Sequence, residues 1–231
     1  MTAIDPSTSL GAIVTEHPGL ARHLERLGID YCCGGRRSLH QACVERGLDP
    51  SAVGEDLATE AEAMAPEGWA SMAPGELADH IESTHHAYLR EEMPRIEALL
   101  EKVEGVHGAR HPELTFVRTT FDELALELDP HLAREEQILF PLIRERAAAD
   151  VVAGPVGVME REHDRAGQLL EQLRRLTDGY VTPSDACASY RALYAALEEL
   201  EADTHLHVHK ENNVLFAAVL GPEAAHREAT R

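Results

Sequence analysis

The chain has 231 residues, 41 acidic against 21 basic, and a formal net charge of −20. A polyanion of that kind is repelled by phosphate backbones, which argues against nucleic acid or an anionic membrane surface as a partner. No apolar run is long enough to span a bilayer, and the opening MTAIDPSTSLGAIV lacks the basic region and apolar core of a signal peptide, so a cytoplasmic protein is expected.

Helix signals run along nearly the whole chain, and no convincing alternating strand interrupts them, so the fold class is all-α. Residues 9–60 break at Pro18, Gly28, Gly34, Gly35 and between Gly47 and Pro50, which predicts a small domain of short helices over 1–63. Within it, DYCCGG sets Cys32 beside Cys33. Adjacent Cα atoms lie about 3.8 Å apart, short of the usual disulfide span, so a bond between them is strained and easily reduced. Arg36, Arg37 and the flexible glycines favour exposed thiolates able to bind iron, accept nitric oxide or bridge to a second chain. A buried turn with inert thiols is the alternative. Cys43 and Cys187 sit within predicted helices and are expected to be small core residues.

MAPEGWASMAP, residues 64–74, supplies the Pro and Gly of a linker. Four longer amphipathic helices follow, predicted over 75–104, 113–147, 155–178 and 184–218, with short Gly- and Pro-bearing connections. They imply an up-down four-helix bundle over 75–220, leaving a polar tail at 221–231.

The bundle helices carry an unusual buried stripe. HLAREEQILF at 131–140 and HVHKENNVLF at 207–216 are near-copies, each with a histidine four residues ahead of a glutamate. That spacing puts both side chains on one helical face. His131 and Glu135 interrupt the stripe Phe121, Leu124, Leu128, Leu139; His207 and Glu211 interrupt Leu193, Leu197, Leu200, Leu215. The first and third helices each add one histidine to their own stripes, His86 and His163. Burying two carboxylates unpaired costs about several kcal/mol each, and no Lys or Arg shares their stripes. Metal ions remove that penalty. Imidazole with carboxylate suits iron, manganese or zinc, whereas structural zinc favours the thiolates missing from these stripes. Two metals, each with two histidines and both sharing two bridging glutamates, would use all six groups and leave room for an oxo bridge or a small ligand.

Other histidines fail on geometry. His205 and His209 flank His207 on the far side of the helix, and His85 lies off the stripe that holds His86. His107 continues that stripe, but roughly 30 Å along it. Glu136, Asp164 and Asp203 are candidate acceptors for ligand imidazole N–H groups.

Together, DYCCGG, His86, HLAREEQILFP, VMEREHDRAG around His163 and the second repeat with ENNVLF resemble the iron–sulfur cluster repair di-iron proteins, the repair-of-iron-centres family. The likeness covers nearly the whole chain. It implies a hemerythrin-like bundle joined to a helical N-terminal domain, and a non-haem centre of two iron ions. His86, His131, His163 and His207 would be its ligands, with Glu135 and Glu211 bridging. It also implies a homodimer that restores iron–sulfur proteins whose clusters are damaged by nitric oxide or peroxide; the first function expected is repair by supplying iron from the centre, with the Cys32 and Cys33 thiols as candidate reactive groups. The alternative function is a redox enzyme or sensor that binds nitric oxide or oxygen at the same centre, with nitric oxide reductase-type activity. The second repeat departs from the first in ending LFAAV rather than LFPLI and in its extra histidines, and neither change touches a proposed ligand.

Overall fold

The computed structural model describes residues 4–61 and 68–221, and every regular element among them is helical. Four short helices come first: α1 (Leu10–Glu16), α2 (Ala21–Arg26), α3 (Leu39–Glu45) and α4 (Pro50–Ala61). Local chemistry starts them. The Ser9 hydroxyl accepts from the Ala12 amide to cap α1, and Ser38 with Gln41 forms a capping box on α3. Their apolar faces, including Leu10, Val14, Leu24, Leu39, Cys43 and Leu57, close a small core that also takes in Val208 from the bundle.

The bundle consists of α5 (Pro74–Ile81) running on into α6 (Ala87–His107), then α7 (Glu113–Arg134) with α8 (Phe140–Arg144), α9 (Ala149–Leu176), and α10 (Ala188–His209) with α11 (Phe216–Leu220). α7 packs along α9, and α6 along α10. Two apolar layers fill it. One gathers Leu89, Leu100, Phe121, Leu128, Leu170 and Leu200; the other gathers Ile81, Leu139, Phe140, Met159, Leu215 and Phe216. The histidine–glutamate level lies between the two.

The helix ends differ from expectation in places. α9 begins at Ala149 and carries Pro155 within it, because a proline costs a long packed helix only one N–H bond and a local clash. The first bundle helix runs on to His107, past its predicted end at 104. Cys187 is not a core residue: it is the exposed N-cap of α10, outside the predicted helical stripe. Cys43 is buried as expected. Of the predicted linker, residues 64–67 lie outside the described residues, as does 222–231 of the tail. The rest of the linker is anchored through Trp69. Its ring is 2% exposed, 5.9 Å from the His209 ring and 5.2 Å from the Lys210 ammonium.

Candidate metal centre

Three of the four bundle helices change pitch where the ligand candidates lie. π-helical turns span Glu82–His86, Glu135–Leu139 and Lys210–Leu215, whereas α9 passes His163 as unbroken α-helix. Such turns sacrifice regular i→i−4 bonding to re-aim side chains and recur at functional sites.

The structure brings His86, His131, Glu135, His163, His207 and Glu211 to one level, each no more than 3% exposed. They form two overlapping groups. His86 and His207 share one with Glu135 and Glu211; His131 and His163 share the other with the same two glutamates. Within each group one ligand atom per residue lies within 4.8 Å of all the others. Glu135 Oε2 is 3.3 Å from His86 Nε2 and 3.4 Å from His131 Nε2. Glu211 reaches His163 Nε2 at 3.0 Å and His207 Nε2 at 3.2 Å.

The other ring nitrogens decide what those contacts are. His86 Nδ1 donates to Glu136 Oε1 at 2.8 Å, His131 Nδ1 to Glu162 Oε2 at 2.9 Å, and His163 Nδ1 to Asn212 Oδ1 at 2.8 Å. A neutral imidazole with its proton at Nδ1 presents a lone pair at Nε2. Three Nε2 lone pairs therefore point inward, at carboxylate oxygens and at one another, and His131 and His163 meet Nε2 to Nε2 at 3.2 Å. Among the described residues, both oxygens of Glu135 and of Glu211, and Nε2 of His86 and His207, have no hydrogen-bond partner. Acceptors facing acceptors in a dry core repel unless protons or metal cations lie between them. The donor set fits a pair of borderline divalent metals.

Burial, then the charge of Glu211, pushes the Glu135 carboxyl well above the usual range. Glu211 is held well below it: burial opposes this, but contacts with His207 and His163 outweigh it. Burial drives His207 down to about 3 and lowers His131. Glu162 is depressed to about 2 by its bond to His131 and by Arg134, whose guanidinium is 2.6 Å away.

Of the expected N–H acceptors, Glu136 serves His86 and is itself held by Arg90. Asp164 is exposed, one position off the inward face, so it is not an acceptor. Asp203 bonds His85 rather than a ligand candidate. Sequence reasoning missed Glu162 and Asn212. Their only signal was adjacency, each standing one residue from a stripe position. It also missed His85 and Lys210. The His85 ring stacks on His207 at 5.4 Å, donates to Asp203 and accepts from the buried Lys210 ammonium at 2.8 Å. His209 is buried too, facing Thr15 and Tyr31 of the N-terminal unit, and His205 lies near Tyr31 and Glu25.

Cys32 and Cys33 sit outside the six-residue level with their sulfurs 4.0 Å apart. Cys32 is buried. The neighbouring Cys33 thiol, then burial, push its own thiol up, so the expected exposed thiolate is not found there. The arginines are directed elsewhere: Arg37 to Glu45 and Asp30, Arg36 toward Glu160. Cys33 is half-buried and packs near Gly167, where a Cβ would stand 3.9 Å from its sulfur. Asn213, beside Asn212, donates to the Cys32 carbonyl at 3.0 Å and so ties the cysteine loop to the π turn that carries Glu211.

Residues 77–219 match the hemerythrin HHE cation binding domain family, and residues 6–61 match a domain of unknown function, DUF542. The chain is 37% identical over 214 residues to the iron-sulfur cluster repair protein YtfE of Enterobacter sp. (strain 638), covering 93% of this chain and 97% of that protein. The protein of the same name from Escherichia coli O157:H7 is 36% identical over the same shares.

Proposed function

This chain belongs to the iron–sulfur cluster repair proteins that carry a hemerythrin HHE cation-binding domain, and from that premise we propose that it repairs iron–sulfur clusters damaged by nitrosative or oxidative stress, using two irons bound by His86, His131, Glu135, His163, His207 and Glu211. The observation that carries the reading is the inward set of Nε2 lone pairs around two carboxylates without hydrogen-bond partners. Bound there, the irons would supply both metal for rebuilding a client's cluster and open positions for a small ligand. Glu136, Glu162 and Asn212 hold three of the imidazoles in the metal-binding tautomer. Glu135 and Glu211 each stand between the two histidine pairs, the placement a bridging carboxylate needs. The clients are iron–sulfur proteins, met in the cytoplasm. No helix among the described residues is long and apolar enough to cross a membrane.

One feature favours binding of nitric oxide or oxygen at the same centre. A small recess of about 10 Å³ reaches His131, His163 and His207 and is also lined by Glu127, Leu128, Glu162, Ala166, Thr204 and Val208. That is about the space one water-sized molecule occupies. The iron ligands themselves are sealed from solvent, so delivery of metal requires the helices to part locally.

Elemental analysis of protein made in iron-replete cells tests the centre: about two irons per chain are expected, and a reproducible single zinc would sink it. The reduced protein is then incubated separately with nitric oxide and with a cluster-depleted apoprotein. Transfer of iron to the apoprotein supports repair by supply; consumption of the gas with iron retained overturns supply in favour of the redox reading.

A further inference from the structure

At the far end of the bundle, roughly 30 Å along α6 from His86, a second group of ligand-type side chains converges. His107 ends α6, His111 lies in the turn to α7, and Asp185 comes from the connection between α9 and α10. One ligand atom from each lies within 4.8 Å of the other two. His107 is 3% exposed, and neither of its ring nitrogens has a hydrogen-bond partner among the described residues. A buried imidazole left in that state costs about 1–3 kcal/mol. It stands where the stripe of Leu100 and Val103 would accept a leucine at no such cost.

His111 repeats the pattern seen at the main centre. Its Nδ1 is 2.9 Å from Glu113 Oε1 and its Nε2 is 3.0 Å from Asp185 Oδ1. His111 therefore lies between two carboxylates as a donor to both, and a divalent ion replacing the Nε2 proton would leave Glu113 as the acceptor for Nδ1–H, the carboxylate–histidine–metal arrangement. Tyr190 wedges both rings, with centroids 5.2 Å from His107 and 5.5 Å from His111. Arg110 approaches the other oxygen of Asp185 at 3.6 Å, leaving Oδ1 toward the histidines. Asp185 is exposed, which gives an ion a route from solvent.

We propose that His107, His111 and Asp185 form a second cation site, separate from the six-residue centre, that takes a zinc-class divalent ion and pins the α6–α7 turn to the α9–α10 connection. Two imidazoles and one carboxylate suit such an ion and leave a fourth position for water. The site does not depend on what the main centre binds.

The test uses the full-length iron-loaded protein dialysed against micromolar free zinc, with zinc and iron counted in the same sample. One zinc per chain is expected beyond the metal already present, without loss of iron. Asp185→Asn and His107→Leu should each lose that zinc and keep the iron, and Glu113→Gln should weaken zinc binding about tenfold or more. His107→Leu should also raise the unfolding temperature without zinc and remove the further rise that zinc gives the parent. The proposal is overturned if the parent takes up no extra zinc, if zinc only replaces iron, or if both variants still bind it, which would place it elsewhere, as at Asp30, Cys32 and Cys33. Should His107→Leu fail to fold, Asp185→Asn, at an exposed position, decides alone.

Discussion

Removing the carboxylate behind His131 should loosen one metal position without dismantling the bundle. Glu162 accepts from His131 Nδ1 at 2.9 Å and from Arg134 at 2.6 Å. In Glu162→Ala the imidazole loses the partner that keeps its proton off Nε2, so the ring must shed that proton or turn before it can bind metal. Loss of such outer partners typically costs about 10–100-fold in metal affinity, or about 1.4–2.7 kcal/mol. The unfolding cost without metal should be about 1.5–3 kcal/mol, that of one charge-assisted hydrogen bond. Under timed chelator challenge, Glu162→Ala should fall from about two irons toward one far faster than the parent, and Glu162→Gln, which keeps a carbonyl acceptor, should sit close to the parent. If the alanine variant holds both irons as long as the parent, or the glutamine variant fails equally, the tautomer argument is refuted. The same group sets an acid limit. A carboxylate depressed to about 2 contributes stability that is fully present above its unfolded value near about 4.3 and is lost as pH falls toward 2. The unfolding temperature of the parent relative to Glu162→Gln should therefore drop across that window and not above it.

Replacing Glu135 or Glu211 with Leu should abolish the paired centre, leaving at most one iron by elemental analysis, while far-UV circular dichroism keeps the parent's helix content. Gly35→Ala places a Cβ 2.1 Å from Asn213 Oδ1 and 2.7 Å from the Tyr31 carbonyl oxygen. It should destabilise the N-terminal unit by about 1–3 kcal/mol and open Cys32, buried in the parent, to thiol-labelling reagents. Cys32→Ser with Cys33→Ser should retain both irons yet fail to deliver them to a cluster-depleted apoprotein; loss of iron from the purified variant would show that the thiols support the centre itself.

The four bundle stripes and the level at which they change from apolar to His and Glu could be read from residue spacing, because a 3.6-residue period projects i and i+4 onto one face. The layers of Leu and Phe above and below that level follow from the same period. The π turns could not be read this way. His131 and Glu135 keep an α-like spacing whether or not the next turn widens, and only packing selects the wider one. Glu162 and Asn212 escaped because each stands one position off a stripe, where a polar residue ordinarily faces water. Lys210 escaped for a different reason: a lysine among histidines suggests surface, and its burial is made possible by Trp69, His80 and His85 converging from distant parts of the chain. His107 was placed correctly on its stripe, but its neighbour Asp185 comes from a connection that no helical period relates to it.

The uneven distribution of π turns makes the two halves of the centre mechanically unequal. The pair His131 and His163 includes a side chain from the uninterrupted α9, and both rings are tethered at Nδ1. The pair His86 and His207 belongs wholly to helices with π turns beside it, and His207 Nδ1 has no hydrogen-bond partner among the described residues. With His86 tethered at Nδ1 by Glu136 and His207 untethered, that pair would make the more yielding of two metal seats. Metal drawn from this protein should leave in two steps with separate half-lives, the His86–His207 ion first, so that a single chain gives up one equivalent readily and holds the second in reserve.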